Sequence, residues 1–382
     1  MKNFVYQNPT KLVFGKGQIA KLSELIPKEK KVMITFGGGS VKKNGVYDQV
    51  ATALAGHQYI EFWGIEPNPS VETVREAVAL GREHGVDFLL AVGGGSVLDG
   101  TKLIAATLGA REKIDPWSIV QKGFAPEAIP FASVMTLPAT GSEMNSGAVI
   151  SRKETNEKYA FGGNYPEFSI LDPETTYSLP STQIANGLSD VFVHVVEQYM
   201  TTPGQSRVMD RWAEGILLTL LDIAPKIKED PKNYDVMADF MLSATLALND
   251  MIQMGVTQDW ATHMLGHELT ALTGIAHGAS LAIVYPAMLR VLKEQKHDKL
   301  LQYAERVFGI TTGSEEERID KAIEATEAYF KSLGLATHLS EAGIGEDIIA
   351  EVERRFTERG IKVGEGRNVD GKMARKVLES CK

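Results

Sequence analysis

The feature that most constrains the fold is an alternation in the first 140 residues. The short apolar runs "KKVMITF", "QYIEFW", "VDFLLAV" and "FASVMTL" alternate with three stretches of helical apolar spacing, "GVYDQVATALAG", "SVETVREAVALGREHG" and "VLDGTKLIAATLG". Strands that are apolar throughout have no face to give to water, so they require a parallel sheet covered on both sides by the intervening helices. From about Ser181 the alternation stops. Residues 182–201, 206–228, 233–252, 258–273, 278–294, 315–333, 347–358 and 370–380 all carry helical apolar spacing, with no strong strand signal among them. The break falls in "DPETTYSLP" (172–180). The sequence therefore predicts an α/β, Rossmann-like domain over residues 1–180 and an all-helical domain over 181–382.

Two strands run into the same tetrapeptide. "FGGGSVKKNG" (36–45) and "VGGGSVLDG" (92–100) each follow an apolar run and open a helix. Glycines let a backbone approach phosphate closely, and a helix start offers free N–H groups with the positive end of its dipole. In an open α/β sheet, ligands bind at these carboxyl ends of strands. Neither loop fits G-x-G-x-x-G or a P-loop, and either alone reads as a tight strand–helix turn. As a pair they predict a ligand carrying a diphosphate. A third small, polar segment, "TLPATGSEMNSG" (136–147), follows another strand and is a candidate wall of the same site.

The helical half carries a cluster of metal-ligating residue types. Asp190 and His194 stand at i, i+4 in "NGLSDVFVHVVEQYM", so both project from one helix face. Their neighbours Val191, Phe192, Val193, Val195 and Val196 are apolar, and a carboxylate buried there needs a partner. His263 and His267 repeat the i, i+4 spacing, and His277 follows fourteen residues after His263, at the start of the next helix. H-E-x-x-H is absent, which disfavours a zincin protease. Imidazoles with one carboxylate suit Fe(II) or Zn(II) rather than Mg or Ca. A catalytic ion needs an open position, so one of the four histidines should stand outside the ligand set; spacing leaves open which one. His57, His84, His297 and His338 lie in polar contexts and read as surface residues.

Composition closes off other classes. The formal charge is −9 and no long basic run exists, so nucleic acid is not an expected partner. The single cysteine, Cys381, allows neither an intrachain disulfide nor a thiolate cluster. No apolar run reaches membrane-span length, and the start "MKNFVYQNPTKLVFGKG" lacks the apolar core of a signal peptide. The expectation is a soluble cytoplasmic protein with no membrane partner.

At this point the residues resemble a known family. "SILDPETTYSLPSTQIANGLSDVFVHVVEQ" (169–198) is similar to the signature of the iron-containing alcohol dehydrogenases, with Asp172, Pro180, Ala185, Gly187, Asp190 and Glu197 in register. "GGGSVLD", "TGSE" and H-x-x-x-H…H-G follow in the family's order, and the branch that matches best is that of butanol dehydrogenases and broad-substrate aldehyde reductases. The resemblance implies a dehydroquinate-synthase-like fold. It implies reversible hydride transfer between NADP(H) and small aldehydes or primary alcohols, and a homodimer. It implies metal ligands Asp190, His194, His263 and His277, binding Fe2+ or Zn2+. His267 becomes the residue beside substrate, managing a proton. The implied cofactor contacts are Gly37, Gly38, Gly39, Ser40, Asn68, Gly94, Gly95, Ser96, Asp99, Thr136, Thr140, Asn145, Lys158 and Tyr177. Many NAD-preferring members have an Asp where this chain has Gly38, and Ser40, Lys42 and Lys43 stand nearby, which favours NADP(H) over NAD(H). The rival readings are an NAD-dependent glycerol or polyol dehydrogenase and a dehydroquinate-synthase-like lyase. The lyase would need a cationic pocket, yet residues 263–277 contain no Lys or Arg.

Overall fold

The computed structural model describes residues 1–382. Eight strands form: β1 (Lys11–Phe14), β2 (Lys31–Phe36), β3 (Gln58–Phe62), β4 (Phe88–Gly94), β5 (Phe131–Leu137), β6 (Ala148–Arg152), β7 (Glu157–Phe161) and β8 (Phe168–Leu171). Six of them make one sheet in the order β1-β8-β5-β4-β2-β3, and every pairing in it is parallel. β6 and β7 form a separate antiparallel hairpin. Helices α1 (Val46–Ala53), α2 (Val71–His84), α3 (Gly95–Gly109) and α4 (Pro116–Lys122) accompany the sheet.

Alternate residues of each strand serve opposite faces, as the pleat requires. Val32, Ile34, Phe36, Leu90, Val92, Val134 and Ile170 pack in one buried cluster with Val46 and Val50 of α1. Met33, Leu89, Ala91, Phe131, Met135 and Leu171 pack in the other with Val74 and Val78 of α2 and Leu103 and Ile104 of α3. Local signals set the helix ends: Ser70 caps α2 by accepting from the Thr73 N–H, and Gly85 ends it in the left-handed conformation, φ 64°.

The second half is helical: α5 (Ser181–Tyr199), α6 (Arg207–Glu229), α7 (Tyr234–Ala247), α8 (Ala261–Thr273), α9 (His277–Val291), α10 (His297–Arg306), α11 (Glu315–Ser332), α12 (Glu346–Glu358) and α13 (Gly371–Glu379). Leu265 and Leu269 of α8, Ile283 and Val284 of α9, Phe356 of α12 and Val377 of α13 share one buried core. No helix is long and apolar enough to cross a membrane.

The compact units do not follow the expected division at residue 180 throughout. One unit comprises Met1–Tyr6, Ser181–Glu229 and Asp250–Lys382; the other comprises Gln7–Pro180 and Asp230–Asn249. Residues 230–249, read as part of the helical domain, belong with the sheet for a physical reason. Met241 of α7 lies in the sheet's core, the Thr245 hydroxyl donates to the buried Glu143 carboxylate at 2.5 Å, and Asn145 donates to the Leu248 carbonyl at 3.0 Å. At the other end, the Lys2 N–H donates to the Gly255 carbonyl, which ties the first residues to the helical unit. The sequence reading missed β8 and the β6–β7 hairpin, and it missed α10, whose Lys299 and Gln302 are paired with Asp210.

Candidate metal centre and cofactor loops

Three helices of the helical unit bring the metal-ligating side chains together. Asp190, His194 and Glu197 follow at i, i+4 and i+7 on α5, and all three are buried. His277 opens α9, and its position depends on the glycine after it. A Cβ on Gly278 would lie 2.1 Å from the Asn186 carbonyl oxygen, so only glycine lets α9 start this close to α5. Ser189 Oγ donates to the Gly278 carbonyl at 2.8 Å and fixes the same junction. α8 approaches α9 at Gly266, where a Cβ would meet Ser280 and Leu281 at 2.9 Å.

The result is a ring of donors around one carboxylate oxygen. Asp190 Oδ1 lies 3.6 Å from Nε2 of His194, 3.6 Å from Nε2 of His263 and 3.6 Å from Nε2 of His277. The donor atoms of Asp190, His263 and His277 all fall within 4.8 Å of one another. Those separations are longer than the hydrogen bonds an imidazole makes with a carboxylate. They are close to the roughly 3.4 Å edge of a tetrahedron whose centre is about 2.1 Å from each ligand. His263 Nε2 is buried and has no hydrogen-bond partner. The donor set fits a divalent transition metal and not Mg or Ca.

Glu197 holds His263 from behind. Its carboxylate accepts from His263 Nδ1, from the Thr262 N–H at 2.6 Å and from the His263 N–H at 3.1 Å. One buried group thus satisfies orphan donors at the start of α8, fixes a proton on Nδ1 and turns the Nε2 lone pair toward Asp190. Burial opposes a second proton on His263, but Glu197 and Asp190 outweigh it and raise the group to about 9. A cation entering at neutral pH therefore displaces a proton.

His267 is half-buried. Its ring centroid lies 5.0 Å from that of His277 and 6.2 Å from that of His263, beside the donor ring rather than in it. Trp260 lies edge-on to His263 and His194, at 5.2 and 6.2 Å between centroids. It adopts φ 65°, rare for a bulky residue, and its indole N–H donates to Gln258. Its neighbour Asp259 is held by the buried Lys296 at 2.8 Å.

The cofactor candidates all fall in the α/β unit. The Asn68 N–H donates to Ser96 Oγ at 3.3 Å, and Lys158 Nζ donates to Asn68 Oδ1 at 2.9 Å, so these three form one group. Asp99 accepts from Ser142 Oγ at 2.7 Å and from the Val149 N–H at 2.9 Å; burial raises its pKa against the lowering pull of Lys102 and these donors. Thr140 packs on Gly95, where a Cβ would lie 2.3 Å from its Oγ1. Thr136 is buried at the end of β5. Tyr177 stands apart, half-buried after the turn Pro173–Thr176, with Glu174 and Lys16 as charged neighbours. Gly37, Gly38 and Gly39 line an open cavity of about 470 Å3 with Lys42, Trp63 and Gly64. Beyond Gly38 a Cβ would meet nothing within 4 Å. Ser40 begins the one-turn helix Ser40–Lys43 that follows.

Sequence reasoning missed Lys102, Trp63 and Lys296, and it saw Glu197 only as a signature position. Lys102 is fully buried and donates to Ser142 Oγ, the Asn145 carbonyl, Asn145 Oδ1 and the Gly147 carbonyl, at 2.6–3.1 Å. Nothing in a helical "DGTKLI" distinguishes such a lysine from a solvated one.

Residues 9–173 match the family "iron-containing alcohol dehydrogenase", and residues 184–377 match the C-terminal part of the same family. The chain belongs to the iron-containing alcohol dehydrogenase family. It is 54% identical to the NADPH-dependent aldehyde reductase YqhD of Escherichia coli, with all of both chains covered. It is 43% identical to a probable NADH-dependent butanol dehydrogenase of Bacillus subtilis, covering 94% of this chain and 95% of that one. The fold is close to the crystal structure of E. coli YqhD, TM-score 0.98 over 100% of this chain and 99% of that one. It is also close to an NADH-dependent butanol dehydrogenase of Thermotoga maritima, TM-score 0.94 at 36% identity, over 100% of this chain and 99% of that one. An α/β unit with a parallel sheet, a helical unit and membership of this family are as the sequence implied.

Proposed function

We propose that this protein is a metal-dependent, NADP(H)-linked alcohol dehydrogenase that reduces small aldehydes to primary alcohols and runs reversibly. The observation that carries the proposal is the single Asp190 oxygen placed 3.6 Å from three imidazole nitrogens. Asp190, His194, His263 and His277 would hold Fe2+ or Zn2+, and Glu197 keeps His263 in the ligating tautomer. When bound, the cation would polarise the carbonyl and NADPH would supply the hydride.

The chain's residues then have separate tasks. Trp260, edge-on to His263 and His194, and the buried face of α5 border the donor ring. His267, next to His277 and outside the donor set, is placed to deliver the proton that the reduced oxygen needs. Asn68, Ser96, Lys158 and Asp99 bind the dinucleotide, and Gly37–Ser40 with Lys42 receive its adenosine end. The absence of an acid at Gly38 favours the 2′-phosphate, as does the name of the E. coli relative; the B. subtilis and T. maritima relatives carry the NADH-dependent names. The parallel edge strand β1 offers unpaired backbone groups to a second copy, and a cytoplasmic homodimer is part of the proposal.

The test is NADPH oxidation with a simple aldehyde before and after chelation, with Fe2+ or Zn2+ added back. His263→Ala should lose bound metal by elemental analysis. His267→Ala should keep it and turn over roughly 10²-fold more slowly. Absence of turnover with any restored divalent metal would overturn the reading, and loss of metal from His267→Ala would overturn the assignment of roles.

A further inference from the structure

The cavity beside Gly38 has a built wall of which the cofactor reading uses only Lys42. Trp63 is stacked face to face on Phe36, with centroids 4.0 Å apart and planes 11° apart. Tyr47 is tilted against both rings at 5.8 Å. The Tyr47 hydroxyl and the Trp63 indole N–H both donate to the Glu61 carboxylate, at 2.8 and 2.7 Å. Glu61 thus holds two rings by their polar edges. On the face of Trp63 away from Phe36 lies Lys42, its Nζ 4.0 Å from the Trp63 centroid and 5.3 Å from that of Tyr47.

An ammonium over an indole face is attracted by the ring quadrupole. A lysine on an open surface would otherwise spread over many rotamers, and binding an anion would then have to order it. Here that ordering precedes the ligand, which is the condition for preorganised binding. The covered Trp63 face is also not free for an adenine base to stack on.

We propose that the Phe36–Tyr47–Trp63 box is a positioning device that holds the Lys42 ammonium at the cavity as the anchor of the ribose 2′-phosphate. Trp63 then sets the preference for NADP(H) through Lys42, without touching the phosphate itself. This rests on the NADP(H) reading above.

The test uses the full-length protein and two probes, 2′,5′-ADP and 5′-ADP, with affinities from titration calorimetry and folding checked by thermal unfolding. The unaltered protein binds 2′,5′-ADP more tightly. Lys42→Met removes that preference. Trp63→Leu lowers it by roughly three- to fivefold and leaves the 5′-ADP affinity unchanged. Trp63→Phe, which keeps a ring face, retains more of the preference than Trp63→Leu. Trp63→Leu adds nothing further in the Lys42→Met background, because its effect passes through the lysine. The inference is overturned if Trp63→Leu weakens both probes equally, which would make the ring a stacking surface, or if the preference survives it intact. If the unaltered protein shows no preference for 2′,5′-ADP, the NADP(H) reading itself fails.

Discussion

Residues 37–40 and 93–96 spell the same four letters, Gly-Gly-Gly-Ser, each at the carboxyl end of a strand of one parallel sheet. Their surroundings differ. In the second loop, a Cβ on Gly93 would lie 2.6 Å from Val97, one on Gly94 2.9 Å from Leu137, and one on Gly95 2.3 Å from Thr140. The chain's own packing demands all three glycines. In the first loop, Gly37 faces the Ile65 carbonyl at 3.3 Å and Gly39 needs its left-handed φ of 95°, but Gly38 has neither a neighbour nor a positive φ. The lysines differ likewise. Lys102, behind the second loop, is buried among four oxygens, whereas Lys42, behind the first, is exposed on an aromatic face. In one loop the chain's own side chains occupy the place where each glycine's Cβ would lie; the other is shaped around space a ligand would fill. A glycine motif alone does not distinguish the two cases.

The largest effect that would sharpen this contrast is at Lys102. Lys102→Met keeps all but the terminal atom's length of the side chain and removes the ammonium, leaving the Asn145 and Gly147 carbonyls and the Ser142 hydroxyl without their buried donor. A loss of about 3–5 kcal/mol in urea unfolding is expected, since breaking a buried polar network at one partner is strongly destabilising. A loss near that of a surface lysine, within about 0.5 kcal/mol, would mean that the second loop is not fastened in this way.

The next effect compares the two loops directly. Gly95→Ala places a methyl against Thr140, and turning that side chain does not relieve it, because Thr140 Cβ itself would be 3.0 Å away. About 1–3 kcal/mol of stability should go, as for other overpacked sites. Gly38→Ala puts its methyl into open space and should change stability by no more than about 0.5 kcal/mol. Equal losses in urea unfolding would break the comparison.

How much of this was legible in the sequence follows from what pattern can carry. Asp190 and His194 were visible because i, i+4 spacing survives translation into a helix face, and the apolar runs of β2 and β4 fixed a parallel sheet. The choice among four histidines was not visible in spacing. Which of them face Asp190 depends on Gly278 seating α9 against Asn186 and on Glu197 turning His263, which are tertiary contacts between residues 92 and 66 positions apart. The membership of α7 was hidden for the same reason: "YDVMADFMLSATLA" has helical spacing whichever core it joins. Lys102 and Trp63 were missed because a lone lysine or tryptophan announces nothing until its neighbours are known.

The smallest effect bears on the open loop alone. Gly38→Asp introduces a carboxylate into the cavity that Lys42 and Trp63 border. The space beyond Gly38 accepts a side chain, so folding should be unaffected. A 2′-phosphate would meet a like charge, whereas a ribose 2′-hydroxyl would meet an acceptor. NADPH affinity should fall at least about tenfold while NADH affinity holds or rises, a difference that repulsion at close range readily supplies. Dissociation constants for both dinucleotides, measured at two salt concentrations, check the cause, because a charge effect at an exposed site weakens as salt rises. If Gly38→Asp left the NADPH/NADH ratio unchanged, the space beside Gly38 would not be where the two cofactors are told apart, and the open loop would lose its claim to differ in function from the packed one.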